Sequence, residues 1–211
     1  FPALLTRRTS HRCFSPAAAV TDGERRALYT AFESNAVSLH FLGGGETVQQ
    51  LSALERSADE ALLADADYRL ELARWIGEGQ LGTSWMVAKL GELALARLPA
   101  GGGMAGRVAE DDAARVQSAP LAGLLSTRAD TALAQLHAGE AYLRIALAAE
   151  SMGLRMQPLS PVLEWQQSRH ELATLAGLHE RFPQHLFRIG HGEPEPGAHR
   201  RRPLGEVLLQ A

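Results

Sequence analysis

The sequence lacks several features that would point to a function at once. It has one cysteine, Cys13, so no disulfide can form within the chain, and a reducing cytoplasm is the expected compartment. Aromatic residues make up only 6% of the chain, and no apolar run approaches the roughly 18 residues that suggest a membrane-spanning helix. The formal net charge is −3, which gives no strong field to attract nucleic acid or a membrane surface. We therefore expect neither as a partner.

The common catalytic and cofactor motifs are absent as well. There is no GxGxxG after a strand pattern, no GxxxxGK(S/T), no HExxH and no CxxC. The eight histidines show no metal-ligand spacing, so the sequence predicts no metal site. No acid, base or nucleophile stands out as a catalytic side chain, and Cys13 is interpreted as structural. These absences exclude the best-known nucleotide-binding and metalloprotease sites.

The patterns that are present are mainly helical. With 211 residues, 45% of them hydrophobic, the chain is long enough to bury a substantial core. Apolar spacings of three and four predict helices, and shorter apolar runs predict strands. The predicted helices are 21–33, 46–64, one that carries Leu70 to Ile76, 130–152 and 161–178, and the predicted strands are 38–42, 120–127 and 185–190. Many helices with few, separated strands indicate an α+β fold with an antiparallel or mixed sheet.

Two stretches have no core-forming period. Residues 99–111 are interpreted as a mobile loop, part of a lid-like segment over about 99–118, because glycines interrupt any helical pattern there. Residues 191–199 are rich in glycine and proline and begin a C-terminal extension over 191–211. The whole chain, 1–211, is expected to form a single domain.

The N-terminal basic segment is the first candidate binding feature. Residues 7–12 read RRTSHR, and arginine suits phosphate because its planar guanidinium makes two parallel, charge-assisted hydrogen bonds. In an extended segment, alternate side chains point the same way, so Arg8, Ser10 and Arg12 can converge on one anion. Composition alone favours the other interpretation, a solvated basic N-terminus.

A second basic run and a turn are the other candidates. Residues 199–202 read HRRR, and the two basic runs would make one phosphate site of high charge density if the fold joins them. The turn over 153–161 follows the longest predicted helix and can offer backbone N–H groups to a ring heteroatom or an anion. A plain connection between two helices is the more common role of such a turn.

The order of these pieces resembles the nitroreductase superfamily. The chain has RRTSHRCF near its start, a glycine-containing helix that ends in MGL, a PLS loop, and then FRIGHG and RRPL. The stretches LLSTRADTALAQLHAGEAYLRIALAAESMGLRMQPLSPVLE and FPQHLFRIGHGEPEPGAHRRRPLGEVL resemble more closely the mycobacterial Acg type, in which two nitroreductase-like halves are fused in one chain. The resemblance covers most of residues 6–208 and is most specific at 121–208.

This resemblance implies a nitroreductase-like fold, a mostly antiparallel or mixed sheet surrounded by helices in a dimeric architecture, with FMN as the cofactor. The loop that passes the flavin N5 edge would be Pro158, Leu159 and Ser160, where a backbone N–H stabilises charge on the reduced ring. Arg115 is the match to a basic residue near the flavin pyrimidine. The implied phosphate-binding positions are Arg8, Ser10, Arg12, Arg201 and Arg202, with Arg200 as a further candidate.

One departure from the family pattern concerns the wall of the flavin pocket. Ordinary nitroreductases carry a PSxxNxQPW-like segment after the first helix, and it reaches into the partner's flavin site. Here residues 33–38 read ESNAVS, without proline or tryptophan. The first residue is Phe1 rather than Met, so we expect the C-terminal half of a tandem, whose wall comes from an N-terminal nitroreductase-like half, or else a homodimer.

Three functions are then open. The first is an NAD(P)H-dependent FMN oxidoreductase that passes electrons to a nitro, quinone or similar small acceptor, with the cofactor carrying the chemistry. The second is an FMN-sequestering or storage protein in which the segment 99–118 closes over the ring. The third is a flavin-free half that serves only in dimerisation, for which the small-residue helix 130–152 and the apolar tail VLLQA supply the surface.

Overall fold

A computed structural model gives the structure of the protein. It describes residues 2–15, 18–32, 34–77, 89–94 and 103–194, together with positions 205 and 208. Contacts between residues divide the chain into two compact units, Phe1–Ala66 with Pro99–Glu195, and Asp67–Leu98 with Pro196–Ala211. The prediction of a single domain stays a prediction. Arg200, Arg201 and Arg202 lie outside the described residues.

A four-stranded sheet forms the centre of the first unit. Its strands are β1 (Val37–Leu42), β2 (Leu121–Thr127), β3 (Arg155–Pro158) and β4 (Phe182–Gly190), in the order β1-β2-β4-β3 with antiparallel pairing throughout. All seven residues of β2 are buried, as expected for a central strand with a continuous apolar run. The predicted α+β class with an antiparallel sheet is confirmed. β3 was not predicted, because four residues are too few to show a period.

Helices cover both faces of this sheet. The helices of the first unit are α1 (Pro2–Thr6), α2 (Asp22–Phe32), α3 (Gly45–Ala64), α5 (Gly103–Gln117), α6 (Ala132–Ser151), α7 (Pro161–Glu164) and α8 (Gln166–Leu175), and α4 (Ala66–Gly77) lies almost wholly in the second unit. Leu121 and Leu125 join one apolar cluster with α2 and α6, whereas Ala122 and Leu124 join another with α3, α5, α7 and α8. The two clusters follow from the alternation of side chains along a strand.

The ends of two predicted helices are set by local chemistry. Thr21 and Glu24 form a capping box at the start of α2: the Glu24 N–H donates to Thr21 Oγ1 at 3.2 Å, and the Thr21 N–H donates to Glu24 Oε2 at 2.7 Å. These bonds hold the pKa of Glu24 below its ordinary value. After α6, Gly153 has φ +77°, the left-handed conformation that stops a helix and favours glycine. Both predicted ends are confirmed.

The predicted loop over 99–118 is wrong for residues 103–117, which form α5. Ala109, Ala113 and Val116 are buried, and their spacings of four and three make a helical face, although alanine gives it little hydrophobic contrast. The Ser52 hydroxyl of α3 donates to the Ala113 carbonyl at 2.9 Å. This helix is packed into the core, so it is not a lid; residues 99–102 lie outside the described residues.

The predicted helix 161–178 is divided at Trp165. Its backbone there is extended, with φ −86° and ψ 117°, so α7 ends at Glu164 and α8 begins at Gln166. The buried Ser168 hydroxyl lies 2.8 Å from the Val162 carbonyl, an acceptor that a continuous helix would have used, and 2.9 Å from the Trp165 carbonyl. Helical periodicity cannot reveal such a break, because the apolar spacing continues on both sides.

Gly190→Ala is expected to destabilise the protein by about 1–3 kcal/mol, because the site is already full. A Cβ on Gly190 would lie 2.7 Å from Phe14 Cδ2 and 2.9 Å from Pro120 Cδ, and Phe14 is buried while the Pro120 ring is rigid. Urea unfolding followed by circular dichroism measures the effect. Gly139→Ala is the matched control: its Cβ meets nothing within 4 Å on α6, so it should raise the free energy of unfolding by about 0.5–1 kcal/mol. Equal stability of the two variants would contradict the packing described for Gly190.

Candidate functional site

The basic N-terminal segment lies beside the short edge strand β3. Thr9 forms a parallel bridge with Met156, and the Ser10 N–H donates to the Met156 carbonyl at 2.9 Å. Ser10 is buried, Arg8 is half-buried, and Arg12 is exposed at a bend in the chain. The extended geometry assumed for residues 8–12 therefore ends at Arg12. The segment is nevertheless fixed to the sheet rather than solvated along its length.

The predicted ring-edge loop begins where β3 ends, two residues beyond Met156. Pro158 has no N–H, and the Leu159 N–H donates to the Leu186 carbonyl at 2.9 Å. Within the part of the chain that the structure describes, the N–H of Ser160 has no hydrogen-bond acceptor. Of the three predicted residues, Ser160 is thus the one whose backbone can donate to a bound group.

Arg115 lies in the last turn of α5, where its positive charge complements the helix dipole. Its guanidinium forms an ion pair with Asp112, one turn earlier on the same helix. The Arg115 carbonyl accepts from the Ser118 hydroxyl at 2.7 Å. The predicted contact to a flavin pyrimidine therefore has to share this guanidinium with Asp112, and it stays a prediction.

A buried arginine that the sequence analysis did not single out connects these segments. Arg188 of β4 is fully buried, and its guanidinium stacks 4.0 Å from the centre of the Phe14 ring. Its Nε lies 2.7 Å from Gln157 Oε1, its Nη1 lies 3.2 Å from the Arg115 carbonyl, and its Nη2 lies 2.7 Å from the Arg12 carbonyl and 3.3 Å from the Ser10 carbonyl. Burial lowers the pKa of Arg188 to about 10, so the group is charged at neutral pH. A charged residue inside the apolar run HLFRIG was the available signal.

Two buried acids of α3 lie in the same region. Glu55 and Asp59 are one helical turn apart and are 4% and 6% exposed, and neither Glu55 Oε2 nor Asp59 Oδ2 has a hydrogen-bond partner among the described residues. Burial and then the charge of Asp112 raise the pKa of Asp59 to about 7. Burial, followed by the charges of Asp59 and Asp112, raises the pKa of Glu55 well above its ordinary value. Both side chains therefore keep their protons to a higher pH than ordinary carboxyl groups do.

The other candidates of the sequence have ordinary structural surroundings. Cys13 is an exposed free thiol. The described residues contain no group of three or more His, Cys, Asp or Glu side chains that could hold a metal ion. None of the helices in the described ranges is both long and apolar enough to cross a membrane.

The chemistry of the donor set fits a phosphorylated ring cofactor. One segment carries Arg8, Ser10 and Arg12, and the adjoining loop carries the N–H of Ser160, which has no acceptor among the described residues, within a few residues of the Thr9–Met156 bridge. Guanidinium groups and a hydroxyl suit a phosphate, and a lone backbone donor suits a ring nitrogen. The segment 8–12 and the loop 158–160 thus lie close together. Arg188 connects a third element to them, because it also binds the Arg115 carbonyl.

Comparisons with known proteins identify the fold. The chain is similar to the FMN-dependent nitroreductase NfnB from Mycobacterium smegmatis, solved in complex with NADPH, at 17% identity and a TM-score of 0.65, covering 99% of this chain and 96% of that one. It is similar to a nitroreductase with bound FMN from Desulfitobacterium hafniense at 14% identity and 0.60, covering 100% and 96%. It is also similar to the NADPH:FMN oxidoreductase from Vibrio harveyi, complexed with NAD+, at 18% identity and 0.59, covering 99% and 75%.

Sequence comparisons add nothing to this result. No protein-family model matches the chain, and no curated protein does. At these identities the structural likeness shows the fold, and it confirms the nitroreductase-like fold that the motif order predicts. The resemblance to the C-terminal half of an Acg-type protein stays a prediction.

Proposed function

We propose that the chain binds FMN and works as an NAD(P)H-dependent flavin oxidoreductase that reduces a nitro, quinone or similar small acceptor. The observation that carries this proposal is the pairing of the basic segment with β3. The Ser10 N–H donates to the Met156 carbonyl at 2.9 Å. This bond holds the segment 8–12, whose side chains suit a phosphate, next to the loop at Pro158–Ser160. A nitroreductase fold around that pairing supports the same reading.

The chain's own residues would hold the two ends of the cofactor. Arg8, Ser10 and Arg12 would bind the phosphate dianion through charge-assisted hydrogen bonds. We propose that Arg201 and Arg202, with Arg200 as a further candidate, bind the same phosphate from the C-terminal end of the chain. The Ser160 N–H would donate to the ring at N5, and Arg115 would face the pyrimidine end. Bound FMN would accept a hydride from NAD(P)H and pass electrons to the acceptor, so no side chain need act as acid or base.

A second nitroreductase-like half is proposed to complete the pocket. On α6, Leu133, Leu136 and Leu143 are exposed although they are large and apolar, and they follow helical spacing. Residues 34–38 lack the proline and tryptophan of the usual partner wall. We propose that this face meets either a second copy of the chain or an N-terminal half in a longer protein. The single cysteine is consistent with the proposed cytoplasmic location.

Anaerobic titration of the FMN-loaded protein with NADPH and with NADH tests the proposed activity. We expect the flavin absorbance near 450 nm to bleach and to return when a nitroaromatic or a quinone is added. Flavin that stays oxidised under excess NADPH and NADH would rule out the proposed oxidoreductase activity and favour FMN sequestration. A purified chain that takes up no FMN would instead favour the flavin-free structural half.

Ser160→Pro is expected to slow this reduction by about tenfold while FMN stays bound, because the change removes the N–H donor together with the hydroxyl. The φ of Ser160 is −64°, the value that proline requires, so the backbone can keep its conformation. Stopped-flow absorbance with NADPH measures the rate. Ser160→Ala keeps the N–H and should reduce at the wild-type rate; equal rates for both variants would rule out the Ser160 N–H as a ring contact.

A further inference from the structure

The phosphate segment, Arg115 and the residue before the ring-edge loop all contact one side chain, that of Arg188. Its guanidinium donates to the carbonyls of Ser10 and Arg12 in the phosphate segment, to the carbonyl of Arg115, and to the Gln157 side chain that precedes the ring-edge loop. These segments are far apart in the sequence, and they come from the N-terminus, α5 and β3. Only a planar group with several divergent donors can bind four such acceptors at once.

The setting of Arg188 fixes the guanidinium itself. The side chain is fully buried, and Phe14 stacks on its plane at 4.0 Å. Phe14 is buried in turn, and its N–H donates to the Ser118 hydroxyl at 2.9 Å. Because the ring and the strand both hold the guanidinium, its donor directions are set before any ligand arrives.

We infer that Arg188 is a positioning residue for FMN: it sets the distance between the phosphate-binding segment 8–12 and the ring-edge loop 158–160. This inference rests on the proposed function. FMN needs both segments at once, because its phosphate and its ring are joined by one short chain. Riboflavin has the ring but no phosphate, so its binding depends on the loop much more than on the segment. Loss of Arg188 therefore weakens FMN more than riboflavin.

The test compares Arg188→Lys and Arg188→Met with the wild type. Lysine keeps the charge but loses the planar fork. If the methionine variant does not fold, the comparison is made with the lysine variant alone. Flavin fluorescence quenching gives dissociation constants for FMN and for riboflavin at a temperature where circular dichroism shows the folded state. We expect the FMN constant to rise about tenfold or more and the riboflavin constant to rise less than about threefold. An unchanged ratio of the two constants would overturn the inference.

Arg169 supplies the matched control. It is a part-buried arginine that also binds a backbone carbonyl, that of Pro183, through Nε at 3.1 Å and Nη2 at 2.9 Å, and it pairs with Asp130 at 3.0 Å. It lines a cavity of about 590 Å³ at the opposite end of β4. Arg169→Lys should leave the ratio of the FMN and riboflavin constants unchanged. A rise in that ratio equal to the one for Arg188→Lys would show a general loss of stability instead of positioning.

Amide hydrogen exchange tests the same inference without flavin. In Arg188→Lys we expect the Ser10 amide, which donates to Met156, to exchange about tenfold faster, whereas the amides of β2 keep their wild-type rates. An unchanged Ser10 rate in the folded variant overturns the inference. If the wild type binds no FMN, the proposed function fails, and the exchange result still decides whether Arg188 positions the segment.

Discussion

The double variant Glu55→Gln, Asp59→Asn is expected to be more stable than the wild type at pH 8, by roughly 2–4 kcal/mol, and to differ much less at pH 4. Both acids are buried on α3, and each has an oxygen without a hydrogen-bond partner among the described residues. Ionising them in this setting is costly because both are buried, and the nearby carboxyls of Asp112 and Glu164 add to that cost. Arg188 beside Glu55 and Arg115 beside Asp59 offset only part of it.

The sign follows from the direction of the pKa shifts. The pKa of Asp59 in the folded protein is about 7, against an ordinary value of 3.8, and that of Glu55 is also raised. Between pH 3.8 and about pH 7, Asp59 holds a proton in the folded state that it has released in the unfolded state. The free energy of unfolding therefore falls as the pH rises from about 4 to about 7, and for Asp59 it levels off above that. Amide side chains do not titrate, so they remove this contribution.

Urea unfolding at pH 4, 6 and 8 measures the effect. Glu60→Gln is the control, because Glu60 lies on the same helix, is about half exposed and pairs with Arg56, and an exposed pair contributes little. We expect the control to follow the wild type at each pH. A double variant less stable than the wild type at pH 8 would mean that Glu55 and Asp59 are stabilised as carboxylates.

Replacing Arg8 and Arg12 together with alanine is expected to weaken FMN binding by about 100-fold or more. Each hydrogen bond to a charged group is worth about 1.5–3 kcal/mol, and every 1.4 kcal/mol is a factor of ten in affinity. The amount of flavin that copurifies with the protein, together with an FMN titration, measures this. Riboflavin affinity should change little, since the ring-edge loop is intact.

The control for this variant must remove the same charge elsewhere. Arg26 of α2 and Arg56 of α3 are both exposed, so Arg26→Ala with Arg56→Ala removes two positive charges from other elements than the N-terminal segment. We expect this control to lower FMN affinity by less than about threefold, which is the long-range part of the electrostatic effect. If it weakens FMN as much as the loss of Arg8 and Arg12 does, the N-terminal segment is not the phosphate site.

Much of the fold could be predicted from the sequence, because long elements carry a strong period. α2, α3 and α6 were each predicted with ends that differ by at most two residues, and the central strand β2 was predicted from its continuous apolar run. α5 was missed because alanines form its buried face. Alanine is apolar enough to pack but gives almost no contrast with its neighbours on a helical wheel.

The site was harder to predict than the fold. The motif order predicts which side chains suit a phosphate, but the Thr9–Met156 bridge joins positions far apart in the chain, and periodicity carries no such information. Arg188 was missed for a related reason. In the sequence it is one charge in the strand pattern HLFRIG, and only the fold shows that its guanidinium binds acceptors from three separate segments.

Titration of the wild-type chain with FMN and with riboflavin, followed by quenching of flavin fluorescence, tests the central claim most directly. A phosphate site beside β3 predicts saturable binding of both flavins, with FMN tighter by about 100-fold, because arginines and a hydroxyl there hold the phosphate. Equal affinities for the two flavins, or no saturable quenching by FMN, would contradict it.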